Sequence, residues 1–498
     1  MYHNTKKKFL NLKIKIIKKK KSNKITIIAN RNKLDPVLRV IWCASIFNKY
    51  KNHNIILFTS KKFHFFNKFF SNFGVEKIIY TDLKKNLFNI FFCNIINLVK
   101  SIILYLYYSI KGIDQFIDVF SVNEIKIGTN IHESFIKKNH YFSDKDFLLP
   151  MFYLKYIFFS YVLINKIEKF IIQNNVKNII VNKSQYFAID SILFLIGKKH
   201  KIKTIMLNQE KILISKKFTM HELFYTIKTS DLKKNISKKI IDKFINKRFK
   251  GMTDVDARNT YFNKNLLKKK SFHKFFNKKR KKTVLFCPHA FSDSPGAGGK
   301  FLFRDFYDYF EKSILQMGRI DSINWIVKLH PTRFLYGEEG VGEKLIEKYK
   351  FNNIFIIPDQ YSTTSIIKLV DAVVSGTGTI IPEATIMGKK TLAYTNSRFK
   401  NLNIYIKYKN KIDYFKKLSF KNLNLNVSNA DKQLGKKILY VLHKKVFNNK
   451  DKLLIDPRRK NKIEVEKLNL KLVKNLHKKR EKIIFNSYYY KKLIKELL

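Results

Sequence analysis

Three short segments in the second half of the chain carry residue types suited to holding and protonating a phosphate. The first is Ser375-Gly376-Thr377-Gly378-Thr379, followed at once by IIPEATIM. Glycines let a backbone approach a ligand closely, and hydroxyls donate to oxyanions. A helix N-terminus adds unpaired N–H groups and the positive end of its dipole. Pro382 suits the first turn of such a helix. The same pattern also fits a Gly-rich turn that only links strand to helix. Glu383 can either hold ribose hydroxyls or complement the dipole.

The second segment, Trp325 to Pro331 (WIVKLHP), sets Lys328 and His330 at the end of an apolar run. A cation and a proton donor are what a leaving nucleoside phosphate requires. The third, Cys287 to Lys300 (CPHAFSDSPGAGGK), brings His289, Asp293 and Gly298 beyond another apolar run. It lacks the GxxxxGK[ST] spacing of a P-loop. No set of His and carboxylates falls at i, i+3 or i+4, so neither a structural metal nor a cofactor is expected.

These segments need elements to position them. Strands are expected at Thr283–Cys287, Asn324–Lys328, Ile354–Ile357, Ala372–Val374 and Lys390–Tyr394. Helices are expected between them, near Leu302–Gln316, Glu343–Lys350, Thr363–Leu369 and Ile381–Met387. Such alternation implies parallel pairing through right-handed crossovers, with ligands at the carboxyl edge of the sheet. The first half shows the same alternation. Its strands are expected at Lys24–Ala29, Asn54–Thr59, Lys77–Tyr80, Val176–Val181 and Lys203–Leu207, with helices at Leu34–Tyr50 and Ala188–Lys199.

The fold class is therefore α/β, with two Rossmann-like domains, a helical insertion and a basic helical C-terminal region. The expected divisions are a basic leader at 1–22 and an N-terminal domain at 23–265 with its insertion at about 86–172. A linker at 266–282, a ligand-binding domain at 283–430 and the basic region at 431–498 complete the chain.

The 498 residues suffice for two domains, and 45% hydrophobic composition excludes a disordered polyelectrolyte. Cys43, Cys93 and Cys287 lie far apart, which excludes a disulfide scaffold and fits a cytoplasmic protein. The formal charge of +63 comes overwhelmingly from lysine, and Asn, Ile, Phe and Tyr are inflated with it. An A/T-rich coding sequence produces that combination. The lysines are spread along the chain rather than clustered on one module, which argues against nucleic acid as a partner. They suit an anionic membrane surface.

Residues 1–21 hold no uninterrupted apolar core, so no signal peptide is expected. Asn86–Ile110 is broken by Lys100 and several asparagines, and Met151–Ile172 by Lys155, Lys166, Glu168 and Lys169. Both read as helices rather than membrane spans. The expected location is peripheral, on the inner face of the cytoplasmic membrane.

VKLHP together with SGTGTIIPEA on a late β/α domain resembles the nucleotide-sugar half of GT-B glycosyltransferases. The most similar group is the capsular-polysaccharide biosynthesis proteins and their bacterial sialyl- and Kdo-transferase relatives. HAFSDSPGAGGK, with FRDF at Phe303–Phe306, looks like the first loop of that domain. The resemblance covers about residues 283–395. It implies that His330 contacts or protonates the leaving phosphate, that Ser375, Thr377 and Thr379 bind it, and that Glu383 helps hold the ribose. His289, Gly298, Lys328, Gly376 and Gly378 complete the candidate donor site, although the family often has a Ser-Ser or Ser-Thr pair where Gly376 and Gly378 stand.

The resemblance further implies a metal-independent transferase that uses a nucleotide sugar, CMP-linked donors among the candidates, to extend a surface polysaccharide or lipid-linked acceptor. Candidates for the catalytic base are Glu133, Glu210 and Asp293. Alternatives are a polyol-phosphate (teichoic-acid-like) transferase, a UDP-sugar 2-epimerase and, outside enzymes, a basic nucleic-acid-binding protein.

Overall fold

Short runs of β-branched and aromatic residues pair into two separate six-stranded sheets in the computed structural model of the chain. It describes residues 23–29, 51–59, 74–81, 94–142, 148–182, 186–207, 212–215, 235–276, 282–295, 301–395 and 399–447, with a few isolated positions between them. The chain divides into two compact units. Among the described residues, one holds those up to 134 and those from 144 to 220. The other holds 135–143 and 221 to 447.

The first unit starts with strands β1 (Ile25–Ala29), β2 (Asn54–Thr59) and β3 (Val75–Tyr80). Helix α1 (Ile95–Lys111), a small hairpin of β4 (Ser121–Val122) and β5 (Ile125–Lys126), and helices α2 (Gly128–Asn139) and α3 (Met151–Gln173) follow. Strand β6 (Val176–Val181), helix α4 (Ile189–Lys199), β7 (Lys203–Leu207) and β8 (Ile212–Ser215) complete it. The sheet order is β3-β2-β1-β6-β7-β8, parallel except for the last pair.

In the second unit, helices α5 (Lys238–Phe249) and α6 (Val255–Tyr261) precede β9 (Lys282–Cys287). Then come α7 (Phe306–Gly318), β10 (Ile323–Val327), α8 (Val341–Tyr349), β11 (Ile354–Ile356), α9 (Thr363–Leu369) and β12 (Ala372–Ser375). Helix α10 (Ile380–Ile386), β13 (Thr391–Tyr394), β14 (Ile406–Tyr408), α11 (Lys411–Lys417) and α12 (Asn429–Phe447) end it. The order is β11-β10-β9-β12-β13-β14, parallel throughout.

Both sheets thus run in the Rossmann order, three strands out from β1 or β9 and three back the other way. The strands of the second sheet are buried on both faces, as parallel sheets are. Val284, Phe286, Trp325, Val327 and Val374 pack toward α7 and α8. Their alternating neighbours Leu285, Ile326 and Val373 pack toward α9 and α10.

The expected strands recur within a residue or two at their ends. The divisions do not. Of the linker expected at 266–282, residues 266–276 are described and are not free: Leu267 and Phe272 are buried beside Leu285, Ile326 and Ile366, and the Leu267 N–H donates to Ser365 Oγ at 3.1 Å. Among the described residues, those from Ile227 on already group with the second unit. Nor does the second domain stop at 430, because Ile438 and Leu442 of α12 pack against Ile381 and Ala393. The leader 1–22, most of the helix expected at Leu34–Tyr50, residues 86–93 and residues 448–498 lie outside the described residues. No helix among those described is long and apolar enough to cross a membrane.

Candidate functional site

In the second sheet, β9 has β10 on one side and β12 on the other, so the chain order reverses between β9 and β12. Open α/β sheets bind ligands in the crevice outside the carboxyl ends of the strands at such a reversal. The three segments singled out by their chemistry leave from the carboxyl ends of these three neighbouring strands. They are the loop from Pro288, the segment Lys328–Thr332 and the turn Gly376–Thr379.

One imidazole joins them. His289 Nε2 donates to the Thr377 carbonyl, which fixes the turn after β12 to the loop after β9. Its ring stacks on Phe306, the first residue of α7, at 4.4 Å and 17°. The His330 ring lies nearly parallel to that of His289, centroids 6.2 Å apart at 15°. Asp305 caps α7 by accepting from the Asp308 N–H at 2.7 Å, which is why the helix begins where Phe306 can support His289.

His330 is oriented by its own turn. Its Nδ1 lies 2.9 Å from Thr332 Oγ1 and 3.4 Å from the Thr332 backbone N–H. Because that N–H can only donate, Nδ1 accepts, and the neutral ring carries its proton on Nε2.

Gly378 has φ +156°, which L side chains rarely adopt, and a Cβ there would sit 3.6 Å from His289 Nε2. Gly376 has no such need. Its Cβ would meet the Tyr309 and Phe301 rings at 3.4 and 3.5 Å, so at this position packing matters rather than φ. Ser375 is buried and gives its hydroxyl to the Cys287 carbonyl at 3.1 Å, so it staples β12 to β9. Thr379 precedes α10 without a side-chain capping bond, and its Oγ1 instead accepts from an Arg248 nitrogen at 3.5 Å.

Lys328 is 5% exposed, and among the described residues its ammonium has no hydrogen bond or ion pair. Burial pushes it down to about 8, against the pull of Asp359. Beside it, burial pushes the Cys287 thiol up to about 12. A buried ammonium without a partner is costly, and an anion would relieve it. The loop after β9 is pinned by a residue the sequence did not single out. Buried Glu338 accepts from the Phe291 and Ser292 N–H groups at 2.9 and 2.7 Å.

Glu383 is not free to hold a ribose. Arg248 Nε donates to its Oε1 at 2.8 Å, and the Tyr261 hydroxyl donates to its Oε2 at 2.7 Å. Arg248 also reaches Asp254 at 2.8 Å, and Asp254 caps α6 through the Ala257 N–H at 2.9 Å. Burial pushes the Glu383 carboxyl up while the Arg248 charge pulls it down. The carboxylate of the first turn of α10 thus anchors α5 and α6 behind the turn. No spacing rule links Arg248 to Glu383, and only an arginine among many lysines hinted at it.

Asp293 lies in the loop, with a half-exposed carboxylate 3.9 Å from His289 Nδ1. Glu133 is buried in α2 of the first unit. Gly298 and Glu210 lie outside the described residues. Among those described, no group of three His, Cys, Asp or Glu side chains is gathered for a metal.

No family model and no curated protein matches the chain. Solved structures similar to it include the β-Kdo 2,4-transferase KpsC of Thermosulfurimonas dismutans, at 10% identity and TM-score 0.31 over 54% of this chain and 88% of that one. A glycosyltransferase from Rickettsia africae is 13% identical, with TM-score 0.25 over 95% and 100% of the two chains. The UDP-GlcNAc 2-epimerase of Methanocaldococcus jannaschii is 12% identical, with TM-score 0.24 over 84% and 99%. The strand order itself makes the chain an α/β protein of two Rossmann-like units.

Proposed function

We propose that the chain is a nucleotide-sugar-dependent glycosyltransferase whose donor phosphate sits at the switch point of the second sheet. The observation that carries this reading is His289, which joins the loops after β9, β10 and β12. Lys328 supplies a buried cation with no counter-charge in contact among the described residues. Gly378 keeps the turn free of a side chain, and backbone groups there can approach an oxyanion closely. His330, with its proton on Nε2, donates to the departing phosphate, so charge that develops in the transition state is met by a pre-oriented donor.

Ser375, Thr379 and Glu383 act one layer back, holding the strand end and the helix that carry the turn. The acceptor we propose is a surface polysaccharide or a lipid-linked sugar, and its base is Asp293, Glu133 or Glu210.

Thermal stabilisation of the purified chain by CMP, UDP, GDP and CDP tests the donor site. A ligand at about 100 times its Kd adds about 2.7 kcal/mol. The reading expects one base to stand out, and expects Lys328→Met to abolish its effect. No stabilisation by any of the four sinks it. Release of free sugar from a stabilising nucleotide sugar without acceptor would instead indicate an epimerase or hydrolase.

A further inference from the structure

Helix α1 buries a serine and two tyrosines and turns most of its aliphatic side chains outward. Ser101, Tyr105 and Tyr108 are buried. Ile96, Val99, Ile103, Leu106 and Ile110 recur at steps of three and four residues and are exposed, Ile96 by 67% and Ile110 by 76%. That spacing puts them on one face. Ile95, Ile102 and Tyr107 widen the face and are exposed as well.

The segment leading into α3 extends it. Tyr105 Oη donates to the Leu149 carbonyl, and the Leu149 N–H donates to Ser109 Oγ at 3.1 Å. This holds exposed Leu148 and Met151 beside the same helix. Eight exposed apolar side chains on one helix face mark a contact site.

From this geometry we infer that the outward face of α1 docks flat on an anionic phospholipid bilayer. The helix has 17 residues, about 25 Å, short of the roughly 20 residues a span needs, and one side of it is packed on protein. An in-plane seat therefore suits it. Charge selects the occupant. Lys100 and Lys111 are the only charged residues on the exposed side, and both fall at one edge of the apolar face, where their heads reach the headgroup layer. A second copy would bring another +63 against this surface, whereas anionic headgroups neutralise it. The inference goes beyond the donor site and stands or falls without it.

The test uses the full chain and vesicles of phosphatidylcholine mixed with phosphatidylglycerol. Lysines alone would bind such vesicles at low salt, so flotation is read at about 1 M salt, where the screening length is about 3 Å. The wild type should remain bound. The exposed double substitution Ile103→Glu with Leu106→Glu should keep the parental melting temperature and lose at least about tenfold in bound fraction, about 1.4 kcal/mol.

Insertion is read directly by Tyr107→Trp with brominated lipid, beside the exposed control Phe334→Trp in the other unit. Quenching at position 107 and none at 334 supports the seat. Release of the wild type by salt, equal binding by the double variant, or an unquenched Tyr107→Trp overturns it. A dimer that the double variant dissociates, with lipid binding unchanged, would assign the face to a second copy and overturn it too.

Discussion

Arg248 and Glu383, 135 residues apart in sequence, meet as a buried ion pair behind the glycine turn, with guanidinium nitrogens 2.8 and 2.7 Å from one carboxylate oxygen. The pair fixes α10 to α5, and with Tyr261 and Asp254 it leaves none of its own charges uncompensated. The helix that follows the turn is therefore held from behind.

Arg248→Met should lower stability by about 3–5 kcal/mol, because Glu383 and Asp254 remain buried without their cation. Urea unfolding measures this. A carboxylate reserved for ribose would instead leave stability near the parental value and weaken nucleotide binding only.

His330→Ala should fold normally, since the ring lies beyond the end of β10 and outside the core clusters. Turnover should fall by about 100- to 10,000-fold, the range typical of a lost general acid. Nucleotide-induced stabilisation should largely persist. A mutant that transfers sugar at the parental rate would strip His330 of its role.

Gly378→Val should weaken nucleotide binding far more than it lowers the melting temperature. Its side chain would enter the space 3.6 Å from His289 Nε2, at a φ that also strains the backbone. Gly376→Ala, whose Cβ faces the Tyr309 and Phe301 rings at an ordinary φ, should instead act mainly on stability. Equal nucleotide affinity in Gly378→Val and wild type would remove the phosphate from this turn.

Lys328 should make binding pH-dependent. Its ammonium is lost as pH rises through about 8, so nucleotide affinity should fall there, and Lys328→Met should flatten that limb. Stability should move the opposite way. Between about 8 and the unfolded value of 10.5 the unfolded chain binds more protons, so this residue's burial cost, on the order of 3 kcal/mol, is relieved as pH rises. Titrations of affinity and of unfolding free energy should therefore slope in opposite directions.

The sequence by itself determined the alternation of strands and helices, because buried parallel strands carry short apolar runs such as VLFC in β9 and AVV in β12. It also placed Lys328, His330 and the Ser375–Thr379 turn at strand ends, since a helix or turn signal follows each run directly. Tertiary structure decided what each side chain does there. Whether a serine hydroxyl meets a ligand or a neighbouring carbonyl depends on which strand lies alongside, and β9 takes the Ser375 hydroxyl. Glu383 looked available because its partner is 135 residues away, at a distance in sequence that no local period reports. Residues 266–282 looked like a linker because the stretch is strongly basic, yet two buried apolar side chains, Leu267 and Phe272, anchor it to the second sheet while the residues around them stay exposed. Local patterning records which atoms each stretch must hide, and only the packed sheet determines what they are hidden against.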